Sequence, residues 1–393
     1  MTHLTERVGD RLARSAAAVQ GGLASPVRTS RMAVVIGRML GLAFLICFAT
    51  GLFSHYLQQP LPWMRFPTQP ATIYAWTQGV HITVGIAIFP LLFGKLWTVY
   101  PRLFTWPPFR SPRELLERAS IAVLVASALL EPALGLVNTY QWYPWPFSFR
   151  RAHFGLAWVI VGALAVHIAV KLPTIIRYWR RRRVDQEAAD RIPAATGSRR
   201  AFLIGIGASA AALVTLTAGQ SFAPFAPTNL FAPRVKGSGP QSVPVNHTAK
   251  QAHVIEAATD PDWALTIANG SRERMLSLAE LRAMPLTAAE LPIACVEGWS
   301  TTAHWRGIRV RDLMAMVDAR PGSALRVTSL QPHGNYRVMT MGDEFVQDPT
   351  TLVALELNGE TLDIDHGFPA RIIAPGRPGV LQTKWLQSIE VIR

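Results

Sequence analysis

The sequence predicts two joined parts. An all-α membrane bundle of four spans leads into a fifth, anchoring helix, and a mixed α+β domain, mostly β, follows. Three observations carry this prediction. Hydrophobic residues make up 50% of the 393-residue chain and charged residues only 16%, against roughly 25% charged in soluble proteins, so membrane spans are expected. Five stretches are apolar over the about 20 residues that a bilayer crossing needs. Beyond residue 250 the chain changes to short alternating segments separated by turn residues, the pattern of strands.

The first four spans are expected at 33–53, 73–96, 119–137 and 153–172. Basic residues divide sharply between the connecting loops. Arg7, Arg11, Arg14, Arg28 and Arg31 lie in the N-terminal arm, residues 1–32. Arg102, Arg110 and Arg113 follow the second span, and "RYWRRRR" follows the fourth. The opposite loops hold only Arg65, Arg150 and Arg151. The positive-inside rule then places the N-terminus in the cytoplasm and returns the fourth span there. Trp63, Trp76, Trp142 and Trp145 suit an outer aromatic belt. The net charge of +14 raises the question of nucleic acid. The "RYWRRRR" run abuts a span, however, and reads as a stop-transfer anchor. No nucleic-acid partner is expected.

Within or beside the spans stand His55, His81, His153 and His167. Polar residues at membrane depth are costly and usually face the bundle interior for a purpose. His153 and His167 are separated by 14 residues, which returns to within about 40° of one helix face at an axial distance of roughly 21 Å. One helix can thus serve two haems. His81 is at a depth suited to face His153 across an outer haem, as bis-imidazole sites in helical bundles do. His167 is either a second haem ligand or a core residue bonded to a carbonyl, and His55 is a ligand or an interfacial residue. Glu131 reads as a proton acceptor beside a quinol site, or as a carboxylate paired with Arg150 or Arg151. Cys47, among Leu, Ile and Phe, reads as packing.

The segments "MLGLAFLICFATGL", "GVHITVGIAIFPLLFG" and "RRAHFGLAWVIVGALAVHI" resemble the b-type membrane cytochrome subunits of the hydrogenase and formate dehydrogenase group, over roughly residues 30–185. That resemblance implies an outer haem b held by His81 and His153. It also implies an inner haem held by His167 and an early histidine of the first helix. This sequence has no histidine near Gly37 and Arg38, and Met39 is the alternative axial ligand there.

The stretch 221–250 is rich in Pro, Gly, Ser and Asn and reads as a linker. In the domain 251–393, Ser277 and Glu280 form a capping box that opens a helix in "LSLAELRAMP", and "RVRDLMAMV" is a second helix. Strands are expected in "ALRVTSLQ", "YRVMTM", "ARIIAPG" and "LQSIEVI", with a hairpin about Asn358-Gly359. The chain has two cysteines, Cys47 and Cys295. That count excludes a disulfide framework, a four-cysteine zinc site and a Cys-ligated iron–sulfur cluster. Cys295 in "PIACVEGWS" is either a buried small hydrophobe or a thiolate for a soft metal. A metal there needs further ligands from a bound cofactor.

The segments "CVEGWS", "HWRGIRVRDLM", "LVALELNGETL", "HGFPARIIAPG" and "TKWLQSIEVI" resemble the molybdopterin domain of the sulfite oxidase family, most of all its bacterial periplasmic branch. The resemblance implies Mo-molybdopterin, with Cys295 ligating molybdenum and Glu297, Gly298 and Trp299 forming the loop beside it. Arg371, Lys384 and the neighbouring Trp385 are expected near the pterin phosphate or an anionic substrate. The alternative for the two cations is a solvated surface. His366 is expected at the pterin ring, and His304, His333 and Tyr336 along the pocket. Eukaryotic sulfite oxidases carry an arginine soon after the cysteine, whereas this chain has "CVEGWS".

The mid-chain stretch "GSRRAFLIGIGAS" resembles a twin-arginine export signal. It opens the fifth helix, expected over 198–220. Such machinery exports folded, cofactor-loaded domains, so a signal at this place fits a cytochrome (33–185) fused ahead of a molybdopterin domain. The expectation is a five-span protein of the cell membrane with its C-terminal domain outside. Oxygen-atom transfer at molybdenum would then be coupled through haem b to quinone or quinol, with a small-molecule substrate. The alternative is a haem-bearing sensor or electron conduit whose outer domain binds a partner without catalysis.

Overall fold

The computed structural model describes residues 2–23, 25, 27–107, 111–180 and 193–392. Arg110, Arg181, Arg182, Arg183 and the end of the expected cytochrome segment at 185 lie outside the described residues. The chain forms two compact units. One comprises Met1–Phe48 and Ile82–Thr215, the other Ala49–His81 and Leu216–Arg393.

The N-terminal arm is itself helical, as α1 (Thr2–Gly22). The long helices are α2 (Ser30–Gln58), α3 (Ile73–Val99), α4 (Pro112–Thr139), α5 (Phe149–Arg180) and α6 (Pro193–Thr215). Among the described residues five helices are long and apolar enough to cross a membrane. They bury little of their apolar surface within the protein. Leu42, Leu45, Phe93, Leu116 and Ile204 are among the exposed side chains, and a helix apolar all round is one that meets lipid or a larger core. Ser111 caps α4 by accepting from the Glu114 amide, with Pro112 in the first turn, the arrangement that satisfies an otherwise orphaned donor. In the first unit Met32, Ile36, Leu40, Ile88, Leu92 and Ile206 share a core.

The second unit carries two sheets. One runs β2-β1-β10-β5-β6 and the other β3-β4-β7-β8, with β9 paired to β7. The strands are β1 (Ala264–Asn269), β2 (Arg272–Ser277), β3 (Thr287–Ala294), β4 (Ser300–Arg309), β5 (Ala324–Ser329), β6 (Val338–Met341), β7 (Leu352–Leu357), β8 (Glu360–Thr361), β9 (Arg371–Ile373) and β10 (Leu386–Ile392). β1 pairs with β10 in parallel. Asn358 and Gly359 both take positive φ, 50° and 87°, which joins β7 to β8 by the expected tight hairpin. The short helix Leu278–Ala283 carries the full capping box of Ser277 and Glu280. Leu265, Ile267, Leu325, Val353 and Ile372 are in the larger core, and Leu57 and Tyr74 join them from the 49–81 segment. A second cluster holds Cys295, Trp299, Trp305, Leu352 and Ile373.

Candidate active site

Cys295 follows the last residue of β3, where the chain must reverse into β4 within five residues. The reversal is closed by two backbone bonds. Gly298 N donates to Cys295 O at 3.0 Å, and Cys295 N donates to Trp299 O at 2.9 Å. Gly298 sits at φ +99°, a conformation that favours glycine because no Cβ opposes it. The thiol side chain ends up buried, with Cys295 only 1% exposed. Asn246 directs its Nδ2 towards Sγ at 3.7 Å. Burial, and next the Glu297 carboxylate, push the thiol well above its ordinary value. The group is therefore a protonated thiol until a metal displaces the proton, since metals bind the thiolate.

Glu297 is 4% exposed. Its Oε2 accepts from Trp299 Nε1 at 3.3 Å and lies 3.8 Å from Arg234 Nε. A carboxylate is thus fixed two residues from the thiol.

The cations come from β9 and from the segment before β10. Gly367, at φ +110°, is placed so that a Cβ there would lie 3.0 Å from Lys384 Cβ and 3.1 Å from Arg371 Cβ. The glycine therefore lets these two residues stand side by side. Arg371 is 2% exposed. It donates to His366 O at 2.9 Å and to Gln382 O at 3.3 Å, and its guanidinium lies 5.1 Å from the Trp305 ring centre. Lys384 is half-buried and donates to Asp365 O at 2.9 Å and to His247 O. Its ammonium sits 4.4 Å from the Trp385 ring centre. Trp385 is fully buried, and its indole N–H donates to Ile364 O at 2.7 Å. Arg371 is thus buried, and Lys384 is half-buried against backbone carbonyls.

Among the described residues no carboxylate lies within ion-pair distance of Arg371, Lys384 or the buried Arg377. The electrostatic cost shows in their acidities. Burial lowers Arg371 to about 9. Burial, and next the charge of Arg371, lower Lys384 to about 7. Desolvated cations of one sign call for a bound anion. A phosphate-bearing dithiolene cofactor is such an anion, and the residues present fit it. Cys295 would offer one thiolate to the metal, while Arg371 and Lys384 would offer charge to the anionic group.

The other expected site residues fall differently. His366 is buried, and its Nε2 donates to Pro240 O at 2.8 Å, which leaves Nδ1 as the ring nitrogen for any further partner. Burial, and next Arg371, lower it to about 4, so it is neutral. His304 and His333 are exposed. His304 alternates with the buried Trp305 along β4 and therefore points to the opposite face. Tyr336 is half-buried and donates to Gln58 Oε1 at 3.4 Å. The stretch expected as a linker instead carries 3-10 turns at Ala223–Thr228 and Pro240–Ser242. It also supplies Arg234 and Asn246 to the Cys295 surroundings. No motif marks either residue in the sequence.

Of the membrane histidines, His81 belongs to the second unit and His153 and His167 to the first. His81 Nδ1 is 3.1 Å from Thr50 Oγ1, and a Cβ at Gly51 would lie 3.0 Å from His81 Cε1. His153 Nδ1 lies 3.3 Å from Glu131 Oε1, so Glu131 faces a histidine rather than Arg150 or Arg151. His153 also stacks on Phe149, with ring centres 5.0 Å apart. In both histidines Nδ1 is turned to an oxygen. His55 packs edge-on to Tyr56 at 5.4 Å.

Residues 251–393 match the family described as "Oxidoreductase molybdopterin binding domain". The chain is 28% identical over 155 residues to mitochondrial sulfite oxidase of Drosophila melanogaster, a match covering 33% of this chain and 27% of that protein. It is 33% identical over 113 residues to sulfite oxidase of Arabidopsis thaliana, covering 24% of this chain and 29% of that one. It is 34% identical over 96 residues to nitrate reductase [NADPH] of Phytophthora infestans, covering 23% and 11%. The matches thus span less than a third of each of these curated relatives. The C-terminal part of the chain is a molybdopterin-binding domain of the sulfite oxidase family.

Proposed function

We propose that this chain is a membrane-bound molybdenum oxidoreductase that exchanges electrons with the quinone pool through haem b. The observation that supports the reading is the pair Arg371, buried, and Lys384, half-buried, side by side with no carboxylate within ion-pair distance among the described residues, in the same domain as the buried Cys295 thiol. Bound Mo-molybdopterin supplies two-electron, oxygen-atom-transfer chemistry that no side chain here can perform.

The chain's own residues have separable tasks. Cys295 gives up its proton to become a metal ligand. Arg371 and Lys384 balance the cofactor's negative charge, and their backbone-anchored geometry fixes its orientation. Trp299 and Trp305, both buried, keep water from the thiol side. Glu297 holds a carboxylate two residues from the metal ligand, paired with Arg234, where it can carry a proton. The chain has "CVEGWS" where eukaryotic sulfite oxidases carry an arginine soon after the cysteine, which favours a neutral, oxygen-bearing sulfur compound of the sulfoxide type over an anion such as sulfite. Electrons would then come from quinol, with Glu131 taking its protons beside His153. His81 and His153 are the haem b ligands that the resemblance of their segments to b-type membrane cytochromes implies. The twin-arginine-like residues Arg199 and Arg200 would address the folded domain to the outer side.

The test is Cys295→Ser in the full-length protein, with methyl sulfoxides as substrates and a reduced quinol analogue as donor. Loss of turnover by at least about 10³-fold is expected, the scale of losing a group that acts in the reaction itself. Unchanged turnover would sink the proposal.

A further inference from the structure

The turn after Cys295 exposes three consecutive backbone carbonyls, and each accepts a hydrogen bond from outside residues 251–393. Gln78 Nε2, near the start of α3, donates to Val296 O at 2.9 Å. Gln220 Nε2 donates to Glu297 O at 3.5 Å, the longest of the set. Ser221 Oγ donates to Gly298 O, and Ser300 Oγ returns a bond to Ser221 O at 3.0 Å. Gln78 and Gln220 are 6% and 1% exposed, and neither Oε1 has a hydrogen-bond partner among the described residues. Burying an amide with half its capacity unused costs free energy, so these side chains are held there for their donors. Close packing serves the same contacts. A Cβ on Gly79 would lie 2.7 Å from Phe222 Cζ and 3.1 Å from Ser221 Cβ, and Trp76 packs on the Phe222 ring at 5.1 Å. All these residues belong to one compact unit.

We propose that Gln78, Gln220 and Ser221 are positioning residues, a juxtamembrane clamp that fixes the peptide planes of the Cys295 turn and so the direction of its sulfur. The inference rests on the molybdenum reading of Cys295. The metal-ligand geometry is then set by the ends of two membrane helices together with the molybdopterin domain. Gln78 is three residues from His81, a neighbour on the same helix face. The clamp therefore ties the turn to the helix that carries the expected haem ligand.

The test uses full-length protein in detergent, in a Cys47→Ala background that leaves Cys295 as its single thiol. Gln78→Leu and Gln220→Leu keep the approximate side-chain volume and delete the donor. Ser221→Ala, which removes one hydroxyl, keeps the test open if a leucine variant fails to fold. Two readouts are taken: the alkylation rate of Cys295 in cofactor-free protein, and the Mo(V) paramagnetic resonance spectrum of loaded protein at equal molybdenum content. Each variant should be alkylated about tenfold faster, equivalent to about 1.4 kcal/mol of easier opening, and should show a shifted Mo(V) spectrum. A wild-type rate, or a wild-type spectrum at full molybdenum content, overturns the clamp. Wild-type protein without molybdenum would instead overturn the functional reading, and alkylation would still decide the clamp.

Discussion

Lys384 gives the sharpest quantitative test, because its two roles pull stability in opposite directions. Without a bound anion its charged form is disfavoured, and burial with the neighbouring Arg371 lowers its pKa from 10.5 to about 7. A base depressed in the folded state contributes stability that is present above the unfolded value and is lost as pH falls towards the folded one. Cofactor-free wild type should therefore gain stability between about pH 7.5 and 9.5. One proton's difference over two pH units corresponds to about 2.7 kcal/mol, which we halve to about 1.4 kcal/mol because the side chain is only half-buried. For a domain of this size that is about 3–5 °C in the thermal midpoint. Lys384→Met removes this gain. The raised Cys295 thiol works the other way, losing stability as pH rises, but it is common to both proteins and cancels in the difference. The assay is thermal unfolding of full-length wild type and Lys384→Met, both cofactor-free, at the two pH values. The same variant, made in a host that synthesises the cofactor, should retain at most a tenth of wild-type molybdenum. Equal pH slopes, or full molybdenum retention in the variant, would refute the argument that this lysine waits for an anion.

Two further outcomes follow from the site geometry. Gly298→Ala places a Cβ at φ +99° and should cost about 1–2 kcal/mol in unfolding experiments, with turnover lost beyond what stability explains; a neutral effect would mean the turn relaxes freely. Glu131→Gln keeps a hydrogen-bond acceptor near His153 but removes the group that would take a proton. The outer-haem optical band should persist while quinol-driven turnover falls, whereas His153→Leu abolishes the band. Loss of the band in Glu131→Gln, or its survival in His153→Leu, would contradict the assignment.

The elements readable in the sequence were those with strong local signals. Length and hydropathy located the long helices. Ser277 with Glu280, and Asn358 with Gly359, marked a helix start and a hairpin through chemistry that acts within four residues. A second hairpin joins β1 and β2 through Gly270 and Ser271, with Asn269 the last paired residue of β1, and the strand expectations omitted it. Cys295 was legible through the resemblance of "CVEGWS" to the molybdopterin domain of the sulfite oxidase family, since a lone thiol at a strand end reads equally as a buried small hydrophobe. Its surroundings were not. Arg234, Asn246 and Ser221 lie in a stretch whose Pro, Gly, Ser and Asn content reads as linker, Gln220 closes the expected fifth helix, and their value depends on contacts some 50 to 80 residues away in sequence. Gln78 reaches Val296 from more than 200 residues away. His304 is turned outwards by strand alternation, which its buried neighbour Trp305 anchors.

The most direct test of the account is elemental analysis of full-length protein purified in detergent from a host that makes the cofactor. The account predicts one molybdenum per chain together with at least one iron, the latter as haem b. Iron without molybdenum would contradict it and leave Cys295 as a packing residue in a haem-bearing sensor or electron conduit.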